Sequence, residues 1–171
     1  SDQGLSGNSV VFTIRFTDST WALYRADLIL DAPEIVTADV DGDAKSNQGY
    51  YSPSTGTWYE RLGDGAFKTR AFGYPGTRSA PGDYDGDGKT DIGVFNTQTG
   101  KWRIAPSGGG EWSPLWSHPD SREDDPVPGD YDGDGLADVA VFNRNTGFWK
   151  IAGSAGEQTK DVPFGIKGDI P

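Results

Sequence analysis

The chain contains no cysteine, a single histidine and no long apolar run. Without cysteine, no disulfide framework holds its 171 residues together. One histidine and no thiolate leave no ordinary zinc site. No segment approaches the ~20 consecutive apolar residues that cross a bilayer, and no signal peptide is visible. Positive charge is also scarce, with Lys and Arg totalling 15 against 26 Asp and Glu. The net charge of −11 argues against nucleic acid and anionic membrane surfaces as partners. Hydrophobic residues make up only 34%, while Gly 25 and Pro 11 fit a turn-dense β architecture filled largely by aromatics. The length fits one domain or one compact array.

What is abundant is aspartate, and it is patterned. Asp83-Tyr84-Asp85-Gly86-Asp87-Gly88-Lys89-Thr90-Asp91 returns 47 residues later as Asp130-Tyr131-Asp132-Gly133-Asp134-Gly135-Leu136-Ala137-Asp138. Carboxylates at loop positions 1, 3, 5 and 9, on a backbone turned by glycines at 4 and 6, suit a hard cation that takes six to eight oxygen ligands. Four like charges so close together repel, and a bound divalent ion removes that cost. The competing reading is a pair of acidic surface turns without an ion. An EF-hand needs a bidentate Glu at position 12 followed by a helix. Here position 12 is Val94 or Val141, inside the short β-branched runs Ile92–Phe95 and Val139–Phe142, which read as strands.

The loop belongs to a longer repeat. At an offset of 47, Pro81, Gly82, Phe95, Asn96, Thr99, Gly100, Trp102 and Ile104 match Pro128, Gly129, Phe142, Asn143, Thr146, Gly147, Trp149 and Ile151. An offset of 44 brings in Asp39, Asp41, Asp43 and the run Thr55–Trp58. A weaker copy holds the alternating run Val10–Phe16 and Trp21. Periods of this length point to solenoids, propellers or arrays. Each unit reads as four strands, with the acidic loop joining the first to the second and the last at Phe67–Phe72, Glu111–Trp116 or Thr159–Phe164. No stretch carries a sustained helical period. Trp58, Trp102 and Trp149 are expected to fill the space between units.

The sequence Pro-Gly-Asp-Tyr-Asp-Gly-Asp-Gly-x-x-Asp, an apolar strand, Thr-Gly and an aromatic strand resemble the FG-GAP/VCBS repeats. These form calcium-binding β-propellers of integrin α subunits and of many bacterial surface and secreted proteins. The resemblance implies Ca2+ held by Asp83, Asp85, Asp87 and Asp91 with the Lys89 carbonyl. It implies a second ion at Asp130, Asp132, Asp134 and Asp138 with the Leu136 carbonyl. The loop of Asp39, Asp41 and Asp43 departs from the family, with Ala44 at position 6 and Asn47 at position 9, and is expected to bind weakly or stay empty. The fold expected is an all-β propeller of four-stranded blades. Its units are about 9–33 plus 168–171, 34–77, 78–124 and 125–167. Residues 168–171 would supply a first strand beside Val10–Phe16 and close a ring of four. A fragment of a longer array fits the same pattern.

Little supports catalysis. His118 lies in Ser117-His118-Pro119-Asp120, and sequence-adjacent residues seldom form a Ser-His-Asp triad. A glycosidase needs two carboxylates about 5–10 Å apart, and no acid outside the repeat stands out. The leading expectation is a non-catalytic binding or adhesion module for a protein or glycan ligand, secreted or on a cell surface. An assembly unit of a larger surface protein, self-associating or pairing with neighbouring blades, is a second expectation. A third is an accessory domain of a secreted polysaccharide-active enzyme. An exposed Trp112 beside His118 would suit sugar stacking, and buried packing is its alternative.

Overall fold

The computed structural model describes residues 9–15, 21–27, 32–114, 122–154 and 160–171. It divides into two compact units, Ser1–Ala32 and Pro33–Pro171. Among the described residues all regular structure is antiparallel β, and no helix is long and apolar enough to cross a membrane. In the first unit, β1 (Ser9–Arg15) pairs with β2 (Trp21–Asp27), setting Ser9 opposite Asp27 and Arg15 opposite Trp21.

The second unit holds three sheets, each in chain order. The first sheet is β3 (Glu34–Ala38), β4 (Asn47–Ser52), β5 (Thr57–Arg61) and β6 (Phe67–Ala71). The middle sheet is β7 (Thr77–Ser79), β8 (Ile92–Asn96) and β9 (Lys101–Ala105). The last is β10 (Asp124–Pro126), β11 (Val139–Asn143), β12 (Phe148–Ala152) and β13 (Lys160–Pro163). In every sheet the acidic loop joins the first strand to the second. The middle sheet has three strands among the described residues; of its expected last strand, Glu111–Trp116, the described part makes a single bridge, between Ile104 and Trp112.

The turns between second and third strands follow from asparagine chemistry. Asn96 Oδ1 accepts from the Gln98 and Thr99 N–H groups and from the Thr99 hydroxyl. Asn143 does the same for Asn145 and Thr146. A side chain that mimics a backbone turn in this way fixes a tight hairpin.

The sheets stack through two apolar junctions. Val36, Ala38, Tyr51, Trp58 and Phe72 of the first sheet meet Ile92, Val94 and Ala105 of the middle one. Ala80, Tyr84, Phe95, Trp102 and Ile104 of the middle sheet meet Val139, Val141 and Ala152 of the last. Buried Trp58 donates its Nε1–H to the Phe72 carbonyl at 2.9 Å, so the polar end of the ring is satisfied. Glu34, Arg78 and Asp125 stand at the same repeat position with alternating charge. Arg78 pairs with Glu34 at 3.3 Å on one side and with Asp125 on the other. Arg144 pairs with Asp125 from within the last sheet.

Two expectations are corrected. Trp58 and Trp102 fill between sheets as expected, but Trp149 is only partly buried. Residues 168–171 form no strand. Gly168 N–H donates to the Arg144 carbonyl at 2.9 Å, and Asp169 Oδ2 accepts from Ile166 N–H at 3.0 Å. Those bonds curl the segment into a turn against its own sheet, so it supplies no closing strand.

Candidate metal centres

Each acidic loop is built around its first aspartate. Asp83 Oδ1 accepts from Gly86 N–H at 2.7 Å and its Oδ2 from Gly88 N–H at 2.9 Å. Asp130 repeats this with Gly133 at 2.6 Å and Gly135 at 3.0 Å. Asp39 repeats it with Gly42 at 2.8 Å and Ala44 at 2.9 Å. The residue at position 6 must adopt positive φ for this wrap, as Gly88 and Gly135 do at 80° and 88°. Ala44 takes the same conformation, at φ 62°. The substitution therefore keeps the loop's shape at a cost of roughly 1–2 kcal/mol, the Cβ penalty of left-handed backbone.

Position 9 closes the loop from the second strand. Buried Asp91 and Asp138 accept from the position 2 N–H groups of Tyr84 and Tyr131 at 2.8 and 2.9 Å. Their other oxygens accept from Ser107 N–H at 2.6 Å and Ser154 N–H at 2.7 Å. In the first loop Asn47 Oδ1 takes the Val40 N–H at 2.9 Å, but its amide nitrogen lies 3.4 Å from Asp41 Oδ2 as a donor. The exchange swaps a ligand charge for a group that competes with a cation.

Oxygens of Asp83, Asp85 and Asp91 come within 4.8 Å of one another, as do those of Asp130, Asp132 and Asp138 and those of Asp39, Asp41 and Asp43. Asp87 and Asp134 stand outside these groups. Each instead accepts a serine hydroxyl, from Ser107 at 2.5 Å and Ser154 at 2.6 Å. Lys89 and Leu136 are tied to them through backbone N–H groups at 2.8 Å. The serine hydroxyl, with the position 7 N–H, holds the Asp87 and Asp134 carboxyls below their ordinary range. Burial pushes Asp91 up, against two hydrogen bonds and with the charges of Asp85 and Asp83 adding to the rise. Gly63 N–H lowers Asp41. An acid pushed up by burial beside like charges is a site that gains from a positive ion. The donor set is all oxygen, which fits calcium or another hard cation and no thiophilic metal.

Residues 83–141 match the FG-GAP-like repeat family. The chain carries an FG-GAP-like repeat. The matched span holds both intact loops, and the first loop lies outside it. No curated protein matches the sequence. The fold is similar to that of virginiamycin B lyase from Staphylococcus aureus, with 11% identity and a TM-score of 0.49, over 89% of this chain and 48% of that one. It is similar at the same identity and TM-score to a streptogramin B lyase, over 90% of this chain and 48% of the other. This chain thus spans about half the length of either enzyme.

His118 and Trp116 lie outside the described residues. Trp112 is 41% exposed and meets Tyr84 edge-on, with ring centroids 6.5 Å apart. The sequence reading missed Ser107, Ser154 and Gly63, whose backbone N–H groups cap loop carboxylates. Ser107 and Ser154 recur at the 47-residue offset, and that recurrence was the available signal.

Proposed function

We propose that the chain is a calcium-stabilised β-propeller module that works outside the cell, binding a protein or glycan partner without catalysis. The observation that carries this reading is the set of three loops, each gathering carboxylate oxygens within 4.8 Å. Asp83, Asp85, Asp87 and Asp91 with the Lys89 carbonyl would hold one ion. Asp130, Asp132, Asp134 and Asp138 with the Leu136 carbonyl would hold the second. Asp39, Asp41 and Asp43 form a weaker third site, because Asn47 turns a donor toward it. A bound ion offsets the repulsion among these carboxylates and pins the first strand of each sheet to the second. Sites of this kind in extracellular modules are weak, with affinities of roughly 10⁻⁴–10⁻³ M, which suits calcium-rich surroundings. In this reading the three sheets of Pro33–Pro171 are blades, and β1 with β2 belongs to one more.

Two features favour binding over chemistry. The loop carboxylates are engaged by backbone N–H groups, as structural ligands are. On the first sheet, Tyr50 and Tyr59 stack with centroids 4.5 Å apart. With Gln48, Arg61 and exposed Phe67 they line an open cavity of about 220 Å³. Aromatic faces beside hydrogen-bonding groups suit a sugar ring or a protein side chain.

Calcium is expected to raise the melting temperature by the equivalent of about 1–3 kcal/mol, and chelator to reverse it. Replacing Asp85 and Asp132 together by Ala abolishes the response. Identical calorimetric melting with millimolar calcium and with chelator sinks the proposal.

A further inference from the structure

The acidic loops do not stand apart from one another. Thr90, at position 8 of the middle loop, donates its N–H to the Asp39 carbonyl at 2.7 Å. Its hydroxyl accepts from Asp39 N–H at 3.0 Å. Ala137, at position 8 of the last loop, donates its N–H to the Asp83 carbonyl at 2.6 Å. So the first ligand residue of one loop is gripped by the residue just before the last ligand of the next.

A second contact repeats at the same two junctions. A Cβ built on Gly86 would lie 2.8 Å from Leu136 Cδ2, and one on Gly42 would lie 2.8 Å from Lys89 Cε. The position 7 side chain of each loop therefore rests on the position 4 glycine of the loop before it. Gly133, in the last loop, has nothing within 4 Å among the described residues. The contact thus tracks the presence of a following loop, since the glycine itself is common to all three.

We infer that the three loops bind their cations as a coupled row, with Thr90 and Ala137 as positioning residues for the loop preceding each. This rests on the calcium reading and adds to it. An ion in the last loop orders positions 7 to 9, which include the N–H that holds Asp83 and the side chain that covers Gly86. That order is then already present when the middle loop takes its ion. Coupling of binding free energies is reciprocal, so filling the middle loop favours the last loop equally. The first junction has two hydrogen bonds where the second has one. The first loop, deprived of a ligand charge at Asn47, is therefore the one most dependent on its neighbour.

The test is a residue-resolved NMR calcium titration of the whole chain. The amides of Gly42 and Ala44, Gly86 and Gly88, and Gly133 and Gly135 each donate to the first aspartate of their own loop and report the loops separately. In Asp132→Asn/Asp134→Asn the last loop falls silent. The middle loop's midpoint is then expected to move to about two- to tenfold higher calcium, the worth of one net hydrogen bond. In the unmodified chain, Gly42 and Ala44 respond at the concentration that fills the middle loop, and Thr90→Val separates the two responses while leaving the last loop's midpoint in place. A middle-loop midpoint unmoved while the last loop is silent overturns the coupling and leaves the calcium reading standing. So does a first-loop response indifferent to Thr90→Val. Absence of any calcium response in the unmodified chain overturns both.

Discussion

The middle and last sheets carry nearly the same residues at an offset of 47, yet one buries them and the other does not. Tyr84 is 6% exposed and its counterpart Tyr131 is 43% exposed. Trp102 and Ile104 are both fully buried, whereas Trp149 and Ile151 are partly open. Local structure is shared: both tyrosines donate to a carbonyl four residues back, at 2.9 and 2.7 Å, and both acidic loops close in the same way. The difference is what covers the face. Val139, Val141 and Ala152 lie over the middle sheet, and among the described residues of Pro33–Pro171 no sheet lies over the outer face of the last in the same way. Burial raises the titration of both tyrosines, more strongly at the more deeply enclosed Tyr84. A repeat thus encodes a face suited to burial, and the energy of that face is realised only where a neighbour is present.

The largest test of this contrast is a matched pair of truncations. Trp102→Ala removes a fully enclosed indole and is expected to cost about 3–5 kcal/mol in urea unfolding. Trp149→Ala is expected to cost less than half as much. Equal losses would mean that the last sheet's face is covered in solution after all.

Charge pairing sharpens the same contrast at smaller scale. Arg78 of the middle sheet bridges Glu34 and the buried carboxylate of Asp125, while Arg144 of the last sheet reaches Asp125 alone. Replacing Arg78 by Met leaves Glu34 with its Ser79 N–H bond but without its arginine, and removes one of the two arginines on Asp125, for about 1–3 kcal/mol. Arg144→Met removes a two-pronged contact to the same buried carboxylate but leaves Arg78 and Glu34 paired, and is expected to cost about 1–2 kcal/mol. Denaturation midpoints in the reverse order would show that the pairing across sheets contributes nothing.

The smallest effect concerns the first sheet. Glu60 stands where the middle and last sheets have Ile104 and Ile151. It is 7% exposed, and its Oε2 has no hydrogen-bond partner among the described groups. Burial raises its titration above the ordinary value of 4.5, against the opposing pull of Lys68 and Arg70. The unfolded chain therefore loses this proton first as pH rises. Stability attributable to Glu60 is present below about pH 4.5 and declines through the raised folded value. Glu60→Ile is expected to stabilise the fold at neutral pH by about 1 kcal/mol and to flatten that decline. A destabilised variant with an unchanged pH profile would refute this account.

Much of the architecture was legible because period and turn chemistry are local. The strand after each acidic loop, the Asn-x-x-Thr-Gly hairpins and the exclusion of an EF-hand all followed from neighbours in sequence. The aspartates of positions 1, 3 and 9 were legible as a cluster for the same reason, since a nine-residue loop fixes their approach. Ser107 and Ser154 were harder, because they arrive from the far end of the third strand, 20 residues from the carboxylates they bind. Residues 168–171 were read as a strand because Gly168 and Asp169 resemble the start of a repeat, whereas their hydrogen bonds to Arg144 and Ile166 hold them in a turn.

By itself the sequence determined the unit: its strands, its loops and the oxygen chemistry those loops offer, since all of these depend on residues within one turn or one hairpin. The tertiary structure alone decided which copies of that unit are enclosed. It buried Trp102 and left Trp149 partly open, gave Glu60 a core position, and joined Asp39 to Thr90 and Asp83 to Ala137 across sheets. Burial and hydrogen bonding between sheets depend on which surface arrives opposite, and identical local patterns carry no record of that.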